Sequence, residues 1–116
     1  MERSVLIIIE SDPRRNGRAA EAVRIAAGVG AWRKVDVAVY LREAAVLALG
    51  EHAQELVDGE NYARYLPLLE EMGKPVYAQK GAAALGKLGQ PTVRVEEITD
   101  VQLAGMAAAR DCVLRF

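Results

Sequence analysis

The chain has 116 residues, 52% hydrophobic and 27% charged, which fits one compact domain of roughly 100–150 residues and excludes a disordered chain. Lys and Arg number 15 and Asp and Glu 16, so the net charge is −1 and nucleic acid finds no general basic field. No apolar run reaches the about 18 residues of a membrane helix, and the apolar core behind Met1-Glu2-Arg3-Ser4 is too short for a secretory signal.

These features lead us to expect a single soluble, cytoplasmic domain over residues 1–116, with no membrane contact. One cysteine allows neither an internal disulfide nor a multi-cysteine zinc site.

Val5-Leu6-Ile7-Ile8-Ile9 predicts a strand buried on both faces, as in the middle of a parallel sheet. Asp12-Pro13 and Asn16-Gly17 then punctuate the chain, with Asn16 or Asp12 able to cap a helix. From Arg18 to Val29, Ala19, Ala22, Val23, Ala26 and Val29 recur at helical spacing, and Gly28 or Gly30 ends the pattern.

Val35–Leu41 reads as the second strand. Arg42–Leu49 reads as a short helix stopped by Gly50, with another turn or two over 51–57. Asn61 is a candidate cap for a helix to Met72. Pro67 is awkward inside that helix, because it lacks an amide hydrogen, and suggests a start at Leu66. Gly73 closes it, Lys74–Gln79 is the third strand, and Gly81–Leu88 is a short Ala-rich helix. The alternation in Thr92–Glu96 predicts a fourth strand near an edge. A last helix over Asp100–Ala109, capped by Thr99, leads into a final strand, Cys112–Phe116. Strands alternating with helices imply an α/β fold: three layers, α/β/α, around a parallel five-stranded sheet.

Ligands of open parallel sheets bind beyond the carboxyl ends of the strands. That places Glu10, Ser11, Asp12, Arg14, Arg15 and Asn16 after strand one, and Tyr40, Arg42 and Glu43 after strand two. Gln79 and Lys80 follow strand three, and Glu97 follows strand four. From these we take Ser11, Asp12, Asn16, Gln79, Lys80 and Gly81 as the candidate pocket, with Gln79, Lys80 and the amides around Gly81 suited to a polar or anionic ligand. Polar residues gather in such loops in every fold of this kind, so this is a list of places rather than a signature.

Gly81-Ala82-Ala83-Ala84-Leu85-Gly86-Lys87-Leu88 nearly matches the phosphate-binding loop. It fails at Leu88, which has no hydroxyl for magnesium, and its alanines favour helix over an extended cradle. A nucleotide-binding enzyme using Lys87 is therefore the weakest of three readings. Cys112 opens the last strand, away from the usual ligand edge, so a buried and inert thiol is expected. His52, among Glu51, Gln54 and Glu55, reads as part of a solvated face. With no second imidazole we assign no catalytic residue, metal ligand or cofactor. Trp32 either caps the core or anchors an interface, and Tyr62 and Tyr65 form either a core stripe or a subunit contact.

Four stretches carry a family resemblance: Ser4–Ile9 leading to Asp12-Pro13, Arg18–Ala26, Val35–Leu41 with Val46, and Gly73–Ala78. On them the chain resembles the DsrE/DsrF-like family of small sulfur-relay proteins, which includes the TusD-type subunits, over nearly its whole length. The resemblance implies a three-layer fold with a parallel five-stranded sheet and a homo- or hetero-oligomer, often a trimer or hexamer. It also implies a possible sulfur-relay partner, and a persulfide-carrying cysteine at the end of the third strand. Here Gln79 stands in that place, and glutamine has no thiolate to carry sulfane sulfur. The leading expectation is an oligomeric binding or scaffold protein that is not catalytic on its own. The alternative is a sulfur carrier that uses Cys112.

Overall fold

The computed structural model describes residues 2–32 and 34–116; Met1, where the segment tested for a secretory signal begins, lies outside them. The strands are β1 (Arg3–Ile9), β2 (Val35–Leu41), β3 (Val76–Gln79), β4 (Glu96–Ile98) and β5 (Cys112–Arg115). The helices are α1 (Arg18–Gly30), α2 (Glu60–Glu71) and α3 (Asp100–Ala108), and Glu43–Leu49, Ala53–Glu55 and Ala83–Lys87 are 3-10 segments.

The strand order is β4-β3-β2-β1-β5, and every pair is parallel. Four strands step in one direction. The chain then crosses back over the sheet through α3 and lays β5 beside β1. With right-handed crossovers, that reversal puts α1 and α2 on one face and α3 on the other. The result is the expected three-layer α/β/α fold, with β1 inside it: Leu6, Ile7, Ile8 and Ile9 are all buried because helices cover both faces.

The two layers are unequal. Ile7, Ile9, Val37, Val39 and Leu41 face a large core built with α1, α2 and the 3-10 segments. Leu6, Ile8, Ala38, Tyr40 and Ile98 face a small one, closed by half-buried Leu103, Met106 and Ala107 of α3. No residue of α3 is fully buried. In α1 the buried set runs through Ala19, Ala20, Ala22, Val23, Ala26, Ala27 and Gly30, a stripe wide enough to meet both the sheet and α2.

Several boundaries differ from expectation. The fourth strand is Glu96–Ile98, not Thr92–Glu96. Val93 is buried and Val95 packs on the large core, but the backbone there docks elsewhere: the Thr92 amide donates to the Leu49 carbonyl at 3.1 Å. Alternation reports one-sided burial, which need not mean ladder pairing. Glu97 therefore lies within β4 rather than after it. Helix α2 starts at Glu60 and runs through Pro67. Tyr62, Leu66 and Leu69 bury one stripe while Pro67 and Ala63 lie exposed, so the bond that proline cannot make is lost on the side where water can replace it. Gly59 occupies the cap position, and Asn61, in the first turn, donates instead to the Ala20 carbonyl at 3.4 Å.

The stretches read as helices over 42–49, 51–57 and 81–88 are 3-10 turns, pieces too short to recover the cost of nucleating an α-helix. Gly28 lies inside α1, which ends at Gly30. The third strand begins at Val76 rather than Lys74, and the last ends at Arg115. Gly73 does close α2, at φ +71°, a left-handed conformation that glycine adopts without strain.

Candidate functional site

The first half of the candidate pocket is a self-satisfied loop. The Asp12 carboxylate accepts from the amide, Nε and NH2 of Arg14 at 2.9–3.0 Å, and those bonds hold its pKa down at about 2. Asn16 Oδ1 accepts the Arg18 amide at 3.0 Å. The Ser11 and Glu10 amides both donate to the Phe116 carbonyl, at 3.2 and 2.8 Å. Ser11, Asp12 and Asn16 are thus occupied in shaping the turn between β1 and α1.

The second half lies two strands away, after β3. Gln79 Oε1 accepts the Glu43 amide at 2.9 Å, and Gln79 Nε2 donates to Glu43 Oε1 at 3.4 Å. This reciprocal pair ties the ends of β2 and β3 together. It also holds Glu43 at φ +52°, a left-handed conformation that costs a non-glycine residue about 1–2 kcal/mol. Lys80 is exposed, and its amide donates to the Ile98 carbonyl at 2.9 Å. Gly81, at φ +79°, makes the turn into the 3-10 segment Ala83–Lys87. That segment is helical rather than an extended phosphate cradle.

Between the two halves stands the end of β2. The Arg42 amide donates to the Ile9 carbonyl at 3.0 Å, stitching it to β1. Arg42 follows β2 with its backbone still extended, so it and Tyr40, two residues apart, point to the same side of the sheet, and Tyr40 packs in the small core under α3. Tyr40 is fully buried, and burial pushes its pKa up against the opposing influence of the Arg42 charge. Its hydroxyl and Arg42 Nε are both buried without a hydrogen-bond partner among the described residues. On the neighbouring strands Arg115 NH1 lies 3.7 Å from Glu10 Oε1. The residues brought together are therefore Tyr40, Arg42, Glu43 and Gln79, flanked by Glu10 and Arg115. Arg115 carries no sequence signal for this role, since its neighbour is set by β5 pairing with β1.

The remaining candidates fall elsewhere. Cys112 is exposed, which corrects the expectation of burial. It does open β5 at the amino end of the sheet, but β5 is an outer strand, paired on one side only. His52 is solvated as expected, 3.2 Å from Glu51. Trp32 is 71% exposed. Tyr62 belongs to the core and Tyr65 is half-buried beside it. Among the described residues no group of three or more His, Cys, Asp and Glu side chains is placed to hold a metal ion, and no helix is long and apolar enough to cross a membrane. One cavity of about 600 Å³, lined by Lys74, Pro75, Tyr77, Arg94 and Glu96 among others, lies at the opposite end of β3 from Gln79.

No family model matches the sequence, and no curated relative does. Among solved structures the chain is similar to the ychN protein from E. coli, at 25% identity and a TM-score of 0.80, over 100% of both chains. That protein has the DsrE-like fold. This chain has a DsrE-like fold as well. Within it, the end of β3 carries Gln79 engaged with Glu43, and the one thiol lies at the far end of the sheet.

Proposed function

We propose that this chain is a DsrE-like binding or scaffold subunit that acts as a homo-oligomer, a trimer or hexamer, and carries no persulfide at the third-strand position. The supporting observation is the Gln79–Glu43 pair. The resemblance puts a sulfur-carrying cysteine at the end of the third strand. The side chain there is an amide whose oxygen and nitrogen both bond Glu43, a link between strands instead of a nucleophile.

Assembly draws support from α3. Val101, Ala104, Gly105 and Ala108 follow helical spacing along its outer side and are exposed, Val101 at 82%. An apolar stripe turned to water is the kind of surface that oligomers cover. Ligands of this subunit would meet the strand ends around Gln79 and Lys80.

A second reading keeps sulfur transfer and moves it to Cys112. It is favoured by one observation, the exposure of that thiol.

Intact-mass measurement after incubation with a persulfide donor separates the two, on wild type and on Cys112→Ser. Under the proposed function neither protein gains a stable sulfur atom. A reductant-reversible gain in wild type alone would make Cys112 the carrier. Light scattering on the same samples should give a multiple of the monomer mass, and a monomer at micromolar concentration would overturn the assembly.

A further inference from the structure

Tyr40 and Arg42 present buried hydrogen-bond donors with nothing to donate to. Among the described residues, the Tyr40 hydroxyl and Arg42 Nε are both sealed from solvent and unpartnered, an arrangement that costs about 1–3 kcal/mol for each group left unsatisfied. Natural structures keep few such groups, and two of them on one side of the sheet, one in β2 and one in the extended residue after it, point to a missing acceptor. The carboxylate beside Arg42 does not fill the role. Glu43 Oε1 is 3.8 Å from Arg42 NH2, too far for a hydrogen bond, and it is already taken by Gln79 Nε2.

We propose that Tyr40 and Arg42 form a receptor for a small monocarboxylate at the carboxyl end of β2, on the α3 side of the sheet. The inference deepens the binding reading above and rests on it, since it names the ligand class for the same strand ends.

The chemistry selects the ligand. Arg42 Nε can only donate and the Tyr40 hydroxyl can donate, so an acceptor serves both. An arginine edge offers parallel N–H groups that match the two oxygens of a carboxylate, and the phenol adds a third bond. Burial keeps the Tyr40 hydroxyl protonated across the ordinary pH range, so it remains a donor. Arg42 is only partly covered, with 27% of its side chain exposed. The charges facing Tyr40 limit the occupant's own charge: besides Arg42 they are the acids Glu10, Glu43 and Asp100. Arg42, with Arg115 beside Glu10, leaves these three acids one charge in excess, so a singly charged ligand is repelled less than a phosphate dianion.

The test is a titration of 15N-labelled protein with sodium acetate, at constant ionic strength held with sodium chloride. It follows the Arg42 Nε–H resonance, identified by its loss in Arg42→Lys. A saturable shift is expected, with a dissociation constant on the order of 1–10 mM, as a four-atom ligand allows. Tyr40→Phe should weaken binding about 3–10-fold by removing one bond, and Arg42→Lys more than about 10-fold by removing the fork. Inorganic phosphate at pH 7 should bind more weakly than acetate.

A linear, unsaturated response overturns the site. So does equal affinity in wild type and Tyr40→Phe, or an ordered water bridging the Tyr40 hydroxyl and Arg42 Nε in protein that ignores acetate. Tighter binding of phosphate overturns the monocarboxylate assignment. These outcomes are separate from the fate of the proposed function: persulfide uptake at Cys112 would overturn that reading and leave the acetate response of Arg42 intact.

Discussion

The two faces of the sheet differ in what they are built to do. The face under α1 and α2 is a dry, well-filled core, in which Ile7, Ile9, Val39, Leu41, Leu66 and Leu69 are fully or almost fully buried. The face under α3 has a short apolar patch, a helix with no fully buried residue, and polar side chains that crowd the strand ends. Stability is concentrated on the first face. The unpaired donors of the strand ends and the apolar helix surface lie on the second. Unpaired groups such as Tyr40 Oη and Arg42 Nε draw on the folding free energy that burial supplies, which for a domain is about 5–15 kcal/mol in total.

Matched truncations test that division most strongly. Ile7→Ala should cost about 2–5 kcal/mol in denaturant unfolding, the range for a large side chain lost from a packed interior. Leu103→Ala, on half-buried α3, should cost no more than about 1.5 kcal/mol. Equal losses would show that the α3 layer carries as much of the fold as the α1 layer.

Helix α3 depends instead on its amino-terminal cap. The Thr99 hydroxyl accepts the Gln102 amide at 3.2 Å, and the Gln102 side chain accepts the Thr99 amide at 2.8 Å, a reciprocal capping box. Thr99→Ala should cost about 1 kcal/mol. Hydrogen exchange should quicken through Asp100–Ala108 and stay unchanged in α1. Acceleration in both helices would mean that the two faces unfold as one unit.

The smallest effect contrasts the two buried tyrosines. Tyr62, on the α2 side, also has an unpartnered hydroxyl, and burial raises its pKa far above the usual tyrosine value. A group whose pKa is raised on folding contributes stability in full below its unfolded value, about 10. That contribution is lost as pH climbs toward the folded value, because the unfolded chain ionises first. Tyr62→Phe should therefore change stability by less than about 1 kcal/mol at pH 7, and should reduce the decline in melting temperature between pH 9 and pH 11, by roughly one tyrosine's share. An unchanged alkaline decline would show that the Tyr62 hydroxyl reaches water in the folded state.

Much of the large face is legible in the amino-acid order. Val35–Leu41 reads as a strand over the residues that form β2, and the spacing of alanines from Arg18 onward locates α1 within a residue. Thr99 announces itself as a cap. These features depend on local chemistry: apolar periodicity, hydroxyls before helices, glycine after them. Legibility falls where distant segments meet. The Thr92–Glu96 pattern is that of a strand, yet the paired residues are Glu96–Ile98, because the Thr92 backbone finds its partner at Leu49. Pro67 argues against a helix that three buried side chains nevertheless hold together.

The site divides along the same line. Composition and position already name the strand ends, and with them Tyr40, Arg42, Glu43 and Gln79, from the rule that parallel strands carry ligands at their carboxyl edge. Sequence spacing does not reveal that Gln79 spends its amide on Glu43, that Arg115 stands beside Glu10, or that Cys112 lies exposed on an outer strand. Each of these depends on which strand lies beside which. The order β4-β3-β2-β1-β5 follows from how whole helices pack across a twisted sheet. Local propensity chooses the elements of this protein. The packing of its two unequal layers chooses their neighbours, and so determines which polar groups find a partner within the chain and which are left waiting for one.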